Sequence, residues 1–462
     1  MPTRDRPITR STTHLSFALM AALLAILWIS GGASRADVIG QVITRGAAWA
    51  ILIAFILFGP RPQLRRVAPV AFFVLATTAL VALQLMPLPP SIWTALPGRD
   101  LLAQAAIVSG QEQPWRPLSI SPGATVNALS SLIVPVLALL LMAALNSAER
   151  WRIATLLLGL VVASSIFGLL QFSGARFDHP LINDVPGMVS ASFANRNHFA
   201  LFAAVGCLLA PAWAFREGRQ ARWKTPVAVA LLLLFALIIL ATGSRTGALV
   251  GVLGLAIGLL NVRREIASEL RRLPKSVAIG LVIAGVALLV IIIFLSVTLG
   301  RAVSVDRAFA LDVGEDLRTR ALPTVWAMTQ FYFPFGTGAG TFDPVYRIHE
   351  PNALLNINYF NHAHNDLLEI VLDTGLLGTL LLAGAILWWL WKSVGAWRSS
   401  SSGPHRLLPR LGSGILLLIL VASFTDYPAR TPMIMALIVI AAIWLNGHQP
   451  RTAPISSPHI KN

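Results

Sequence analysis

One cysteine, Cys207, in 462 residues leaves no partner for an internal disulfide and no CxxC pair for a metal. Charge is scarce as well. Asp, Glu, Lys and Arg make up 12% of the chain, against roughly 25% in a soluble domain. Acids are the rarer sign, 20 against 36 basic residues. The signatures HExxH, GxSxG, DxD and the P-loop lysine are all missing, which removes zincin, serine-hydrolase and P-loop chemistry as readings. No repeat of 20–50 residues stands out, and the only low-complexity piece is "SSSS" at 399–402.

What fills the chain instead is hydrocarbon. Apolar residues are 56% of it and the mean hydropathy is +0.71, a membrane composition. Apolar runs near 15–31, 42–58, 67–86, 125–145, 152–172, 198–215, 226–242, 245–261, 276–299, 365–391, 409–425 and 432–446 predict about twelve transmembrane helices. The expected fold is therefore all-α, a polytopic membrane protein forming one transmembrane domain over 1–462. Two connections are long, 87–124 and 300–362, the latter between the ninth and tenth spans. The first run comes after Arg4, Arg6 and Arg10 and resembles a signal peptide, but the alternation of sides along the chain requires it as an uncleaved helix.

Charge orients the spans. With both termini in the cytoplasm, the cytoplasmic segments hold 23 of the 36 Lys and Arg and five of the 20 acids, a balance of +18, and the other side balances to −2. This is the positive-inside bias. It explains the sequence pI near 11.4 through contact with anionic membrane lipids, so nucleic acid is not an expected partner. The same map gathers the unusual polar segments on the external side: "SFANRNHF", "TGSRTG", the 300–362 loop, "NHAHND" and "TDYPAR".

In "NHAHNDLLEIVLDTG", His362, Asp366, Glu369 and Asp373 fall at helical offsets 0, 4, 7 and 11, within about 40° of one line. A helix starting at Asn365 or Asp366, with one of them as cap, leaves His364 on the entering turn. The ordinary reading is a capped, wet helix end. The functional one is a site, because ionisable groups within a span are costly to bury and histidine titrates near neutrality. Arg245 stands between Gly243 and Gly247 at an external turn, as an interfacial anchor or an anion receptor beside a helix N-terminus. Asn195, Arg196, Asn197 and His198 open the sixth span, as ordinary caps or as a second anion-binding group. In the long loop, Arg318 and Arg320 precede an aromatic stretch (Trp326, Phe331, Tyr332 and Phe333, expected at the interface) and a turn with Gly336, Gly338 and Gly340. That turn lacks the context of a nucleotide motif and is expected to fold the segment back over the membrane. A transporter or flippase, with the acidic stripe as a cation path, is the reading from another class. It expects mid-membrane charge and inverted repeats, whereas these charges cluster at one interface.

With "QLMPLPPSIWTALPG", "SFANRNHFA", "TGSRTGALVG", "RALPTVWAM…PFGTGAGTF" and "HAHNDLLEIVLDTGLLG" in that order, the chain resembles the O-antigen ligase and polymerase superfamily of bacterial inner membranes. The resemblance implies a GT-C-like, metal-independent glycosyltransferase without a cofactor. Its active site would face the periplasm, with the 300–362 loop contributing. The donor would be an undecaprenyl-diphosphate-linked glycan, and the acceptor a lipid A-core sugar in a ligase or another lipid-linked glycan in a polymerase. It implies that His364 is the catalytic base and Arg245 and Arg320 bind diphosphate. The acid of the family motif falls on Asp373, here Asp for Glu. Arg196, a third candidate for the diphosphate, stands where relatives often have proline. Asp366, Glu369 and Asp373 are the acids that would assist a histidine or hold acceptor hydroxyls, with Asn195, Asn197, His362 and Asn365 as further substrate contacts.

Overall fold

The computed structural model describes residues 10–174, 179–182, 187–216, 223–272, 318–355, 360–399 and 406–447, with isolated positions between 274 and 294. The ninth predicted run, 276–299, and the start of the long loop lie largely outside the described residues. Each of the other predicted runs is helical. The helices are α1 (Arg10–Ser30), α2 (Ile39–Phe58), α3 (Ala68–Leu83), α4 (Pro90–Trp93), α5 (Asp100–Val108), α6 (Pro122–Ser131), α7 (Ile133–Ala144), α8 (Ser147–Phe172), α9 (Arg196–Phe215), α10 (Lys224–Ala241), α11 (Arg245–Asn261) and α12 (Arg263–Leu270). A helical stretch over 318–332, α13, comes next, then α14 (Phe342–His349), α15 (Asp366–Arg398), α16 (Leu407–Ser423) and α17 (Pro432–Asn446). The 87–124 connection carries a two-stranded ribbon, β1 (Pro87–Leu88) with β2 (Arg116–Pro117), paired antiparallel.

Hydrocarbon offers no hydrogen-bond partner, so apolar runs of this length satisfy their backbone internally as helices. Among the described residues, seven helical segments are long and apolar enough to cross a membrane. The pair α11 and α12, bent by 66°, makes an eighth, and part of α1, α16 and α17 are shorter apolar helices. The protein is thus a polytopic helical membrane protein.

The centre of the bundle is α9, whose residues from His198 to Pro211 are all buried. Small residues allow this, because without a hydrophobic force between helices in lipid, close backbone approach drives association. A stripe on α11, Gly247, Gly251, Gly254 and Gly258, lies against its neighbours. A Cβ on Gly254 would come 2.6 Å from the carbonyl oxygen of Ala204, and one on Gly258 would strike that of Cys207. This contact brings the N-termini of α9 and α11 side by side.

α15 is 33 residues long, about 50 Å at 1.5 Å per residue, and it breaks at Gly375 (φ 59°, ψ −145°). The glycine-rich turn after α13 fits into the break. Thr337 N donates to Leu372 O at 3.0 Å, Gly338 N to Asp373 O at 2.9 Å, and Leu376 N to Pro334 O at 2.8 Å. The turn therefore docks on α15 and supplies the bonds the helix gives up there. Arg99, fully buried, ties the 87–124 connection to the same turn by donating to Leu118 O at 2.7 Å and Gly336 O at 3.1 Å. Burial pushes its guanidinium down to about 10. Of the aromatics expected at the interface, Trp326, Phe331 and Phe333 are exposed, but Tyr332 is buried and its hydroxyl bonds His349 at 2.9 Å.

Candidate active site

The two ends of the bundle differ. At one end basic side chains dominate: Arg406 pairs with Glu265, Arg216 lies over Trp151 and Arg410 over Trp397. The opposite end gathers the turns that the charge map placed together. Ala194 N donates to Gly32 O, Met433 N to Gly31 O, and Asp366 N to Asp426 O.

Here Asn195 caps α9 by accepting from Asn197 N at 2.8 Å. Ser244 caps α11 by accepting from Gly247 N at 2.8 Å. Asn365 caps α15 by accepting from Leu368 N at 3.0 Å, so α15 begins where its sequence indicated. His364, just before the cap, takes a left-handed backbone (φ 49°), and its ring turns toward the connection between α16 and α17.

The partner it meets is Asp426. Nδ1 of His364 lies 3.2 Å from Oδ1 of Asp426. Since an ionised carboxylate only accepts, the proton of this bond is on Nδ1 and the lone pair is left on Nε2. Asp426 is fully buried and held from every side. Its Oδ1 also accepts from Tyr427 N at 3.0 Å, and its Oδ2 accepts from Asn195 Nδ2 at 2.8 Å and Asn197 Nδ2 at 2.6 Å. Ser244 Oγ donates to Asn197 Oδ1 at 2.6 Å. Three consecutive hydrogen bonds thus join the residue before Arg245 to His364. Thr246 and Thr425 add a hydroxyl bond of 2.8 Å across the same junction.

Burial alone would raise the Asp426 carboxyl; the hydrogen bond from His364 and the charges of His198, His364 and Arg318 hold it well below the usual carboxylate range. Burial lowers the His364 imidazole from its ordinary 6.5, against the hydrogen bond and charge of Asp426, which pull it up. A neutral imidazole with a fixed tautomer can take a proton at Nε2.

The acidic stripe of α15 faces elsewhere. Asp366, Glu369 and Asp373 are buried and share Arg430, at 3.6, 3.2 and 3.2 Å. Glu369 also holds His362 Nδ1 at 2.9 Å and accepts from Ala363 N at 2.8 Å, fixing the turn that presents His364. Asp366 accepts from Ser423 Oγ at 2.9 Å and Ala429 N at 3.0 Å. Asp373 accepts from Gly340 N at 3.1 Å. Tyr427 packs between the two histidines, with ring centroids 4.2 Å from His362 and 4.9 Å from His364.

Of the arginines, Arg196 Nη1 lies close to Gly243, 3.8 Å from where a Cβ there would sit, so Arg196 and Arg245 flank one turn. Arg320 is exposed and donates to Ala353 O at 3.2 Å. Its neighbour Arg318 is the loop cation whose charge acts on His364, Asp426 and Tyr427. Asp426, Tyr427 and Arg430 were not among the site residues read from the sequence. The segment "TDYPAR" was visible as an external polar cluster, but nothing in its spacing paired Asp426 with a histidine 62 residues earlier.

Beside this constellation, a cavity of about 720 Å³ runs between α3, α6 and α15, with His362, Asp366, Asp373 and Arg430 at one end and Leu381 and Ala385 at the other.

Fold and site together define a polytopic membrane protein with a carboxylate-oriented histidine and flanking arginines at one end of its bundle. Residues 228–383, about one third of the chain, match the family model described as O-antigen ligase, which supports the resemblance to that superfamily. The matched segment contains Arg245, Arg318, Arg320 and His364 but stops short of Asp426 and Arg430. No curated protein matches the chain.

Proposed function

We propose that the protein is an inner-membrane glycosyltransferase that moves an undecaprenyl-diphosphate-linked glycan onto a lipid A-core sugar at the periplasmic face. The observation that carries this reading is the His364–Asp426 pair held by hydrogen bonds to the turns that bear Arg196 and Arg245. His364 Nε2 takes the proton of the acceptor hydroxyl. The hydroxyl oxygen attacks the anomeric carbon as the bond to the diphosphate oxygen breaks, which inverts the centre. Asp426 keeps the proton on Nδ1 before the reaction and stabilises the imidazolium after it, and the proton then leaves to water. The diphosphate gathers charge as it departs, and guanidinium groups from Arg196, Arg245 and the Arg318–Arg320 segment meet that charge with bidentate, charge-assisted bonds.

A repeat-unit polymerase would use the same machinery with a second lipid-linked glycan as acceptor. Deletion of the gene followed by a lipopolysaccharide gel tests the choice. Loss of all long-chain material with carrier-linked polymer accumulating supports the ligase. Core bearing a single repeat supports the polymerase, and unchanged glycans reject both.

A further inference from the structure

The break in α15 marks a level in the membrane. From Thr374 to Trp391 no residue is charged, and Leu376, Leu377, Leu380 and Leu387 are exposed. The helix from Gly375 to Arg398 spans about 36 Å at 1.5 Å per residue, enough to cross the ~30 Å hydrocarbon core. On the other side of the break stand the buried acids Asp366, Glu369 and Asp373. The edge of the hydrocarbon that borders the site therefore falls near Gly375.

Two segments are fastened at this level. The turn after α13 bonds the break itself, Leu376 N donating to Pro334 O at 2.8 Å. Gln84, at the end of α3, donates to Asp373 O at 3.0 Å and accepts from Ala339 N at 2.8 Å. The 87–124 connection leaves from this point and returns to it, as Ser119 N donates to Gln84 O at 3.0 Å. A Cβ on Gly98 would strike the ring of Tyr332, so the approach to α5 lies against the end of α13.

Both segments turn hydrocarbon outward. α13 buries Ala321, Val325, Met328 and Tyr332 along one helical stripe. Its other face carries Leu322, Trp326 and Phe331, which are 47, 56 and 51% exposed. No residue from Ala321 to Phe342 is charged. Of the nine residues of α5 only Ala106 is buried, and Leu101, Ile107 and Val108 are 60, 69 and 87% exposed. α14 differs: its outward face carries Arg347, paired with Asp343 at 2.7 Å. An exposed apolar patch of this extent marks a surface that something covers. Its continuity with the lipid-facing leucines of α15, at the edge of the hydrocarbon, identifies the cover as lipid, and uncharged helices with outward Trp and Leu suit that layer.

We propose that α5 and α13 are seated in the leaflet that borders the site, their outward faces against acyl chains at the level of Gly375. The 87–124 connection is then a monotopic membrane hairpin and not a loop in water. This inference is independent of the glycosyl-transfer reading.

The test is spin-label accessibility in the full chain, held in nanodiscs of phosphatidylcholine and phosphatidylglycerol. Nitroxides are placed through Val108→Cys and Trp326→Cys, with Leu380→Cys as the lipid reference and Arg347→Cys as the water reference. The parent, whose one cysteine is buried, is the unlabelled control. Power saturation then compares collision with oxygen, which enters lipid, against a water-soluble nickel chelate. At 108 and 326 the ratio of oxygen to nickel collisions should rise several-fold above that at 347 and approach that at 380. Ile107→Cys and Phe331→Cys repeat both readings on the same faces, so a variant that fails to fold does not leave the question open. A ratio matching the water reference on either helix would overturn the proposal. So would low collision with both reagents together with spin–spin broadening, which would put a second copy of the chain on this face. Glycans of the deletion strain bear on transfer alone and leave these ratios untouched.

Discussion

Replacing Asp426 by Asn removes one charge and almost no volume, so the surrounding hydrogen bonds determine its effect. Asn195 and Asn197 are fixed as donors to Asp426, because their own oxygens cap α9 and accept from Ser244. An asparagine at 426 has one oxygen for two donor groups that each needed one. With its NH2 toward Asn195 and Asn197, two buried donors lose their acceptor at about 1–3 kcal/mol each. With its NH2 toward His364, only Tyr427 N is stranded, provided His364 accepts at Nδ1 and carries its proton on Nε2. The second arrangement is favoured by about one unpaired donor, and it abolishes the free lone pair of the base. Transfer in nanodiscs should therefore fall by about 10²–10⁴, the usual contribution of a general base, with the protein still inserted. The pH profile adds an independent sign. The base acts unprotonated, so the rate is flat near neutrality and falls as pH drops through the His364 pKa, which burial places below 6.5. Asp426 pulls that pKa up, so the residual rate of Asp426→Asn should lose its acid limb at still lower pH. A variant within about three-fold of the parent, under 1 kcal/mol on the barrier, or with an unmoved acid limb, would refute the pairing.

His364→Ala should abolish transfer while leaving membrane insertion and detergent stability intact; measurable turnover assigns the base to another group. Arg245→Lys should transfer poorly, since an ammonium lacks the planar fork that grips a diphosphate, and full activity would remove Arg245 from donor binding. Arg430→Ala strands three buried carboxyl groups and should cost about 3–5 kcal/mol, seen as lost monodisperse protein after extraction; an unchanged melting temperature would show that the acids do not need the cation. Gly375→Ala places a Cβ against the Pro334 carbonyl at a backbone conformation essentially reserved for glycine, and should lower stability by about 1–3 kcal/mol. A parental melting temperature there would mean that the break in α15 is not held by the glycine turn.

Much of this molecule is local and therefore readable in one dimension. A run of apolar residues as long as the hydrocarbon is thick has one way to satisfy its backbone, so the helices arise from composition alone. Local, too, are the Asn365 cap and the shared face of Asp366, Glu369 and Asp373, both consequences of helical period. Motif order carries the resemblance to the O-antigen ligase superfamily, whose family model matches residues 228–383. What tertiary structure alone decided is the pairing of charges. The stripe on α15 could not reveal whether its acids serve a histidine or a cation. In the fold they converge on Arg430, and His364 receives its carboxylate from Asp426, across 62 residues and between different helices. A buried carboxylate is stable wherever enough donors converge on it, and that convergence depends on how α9, α11, α15 and α16 pack, which is set by the small residues that let them approach. Helical period fixes which side chains share a face; only packing fixes what that face meets.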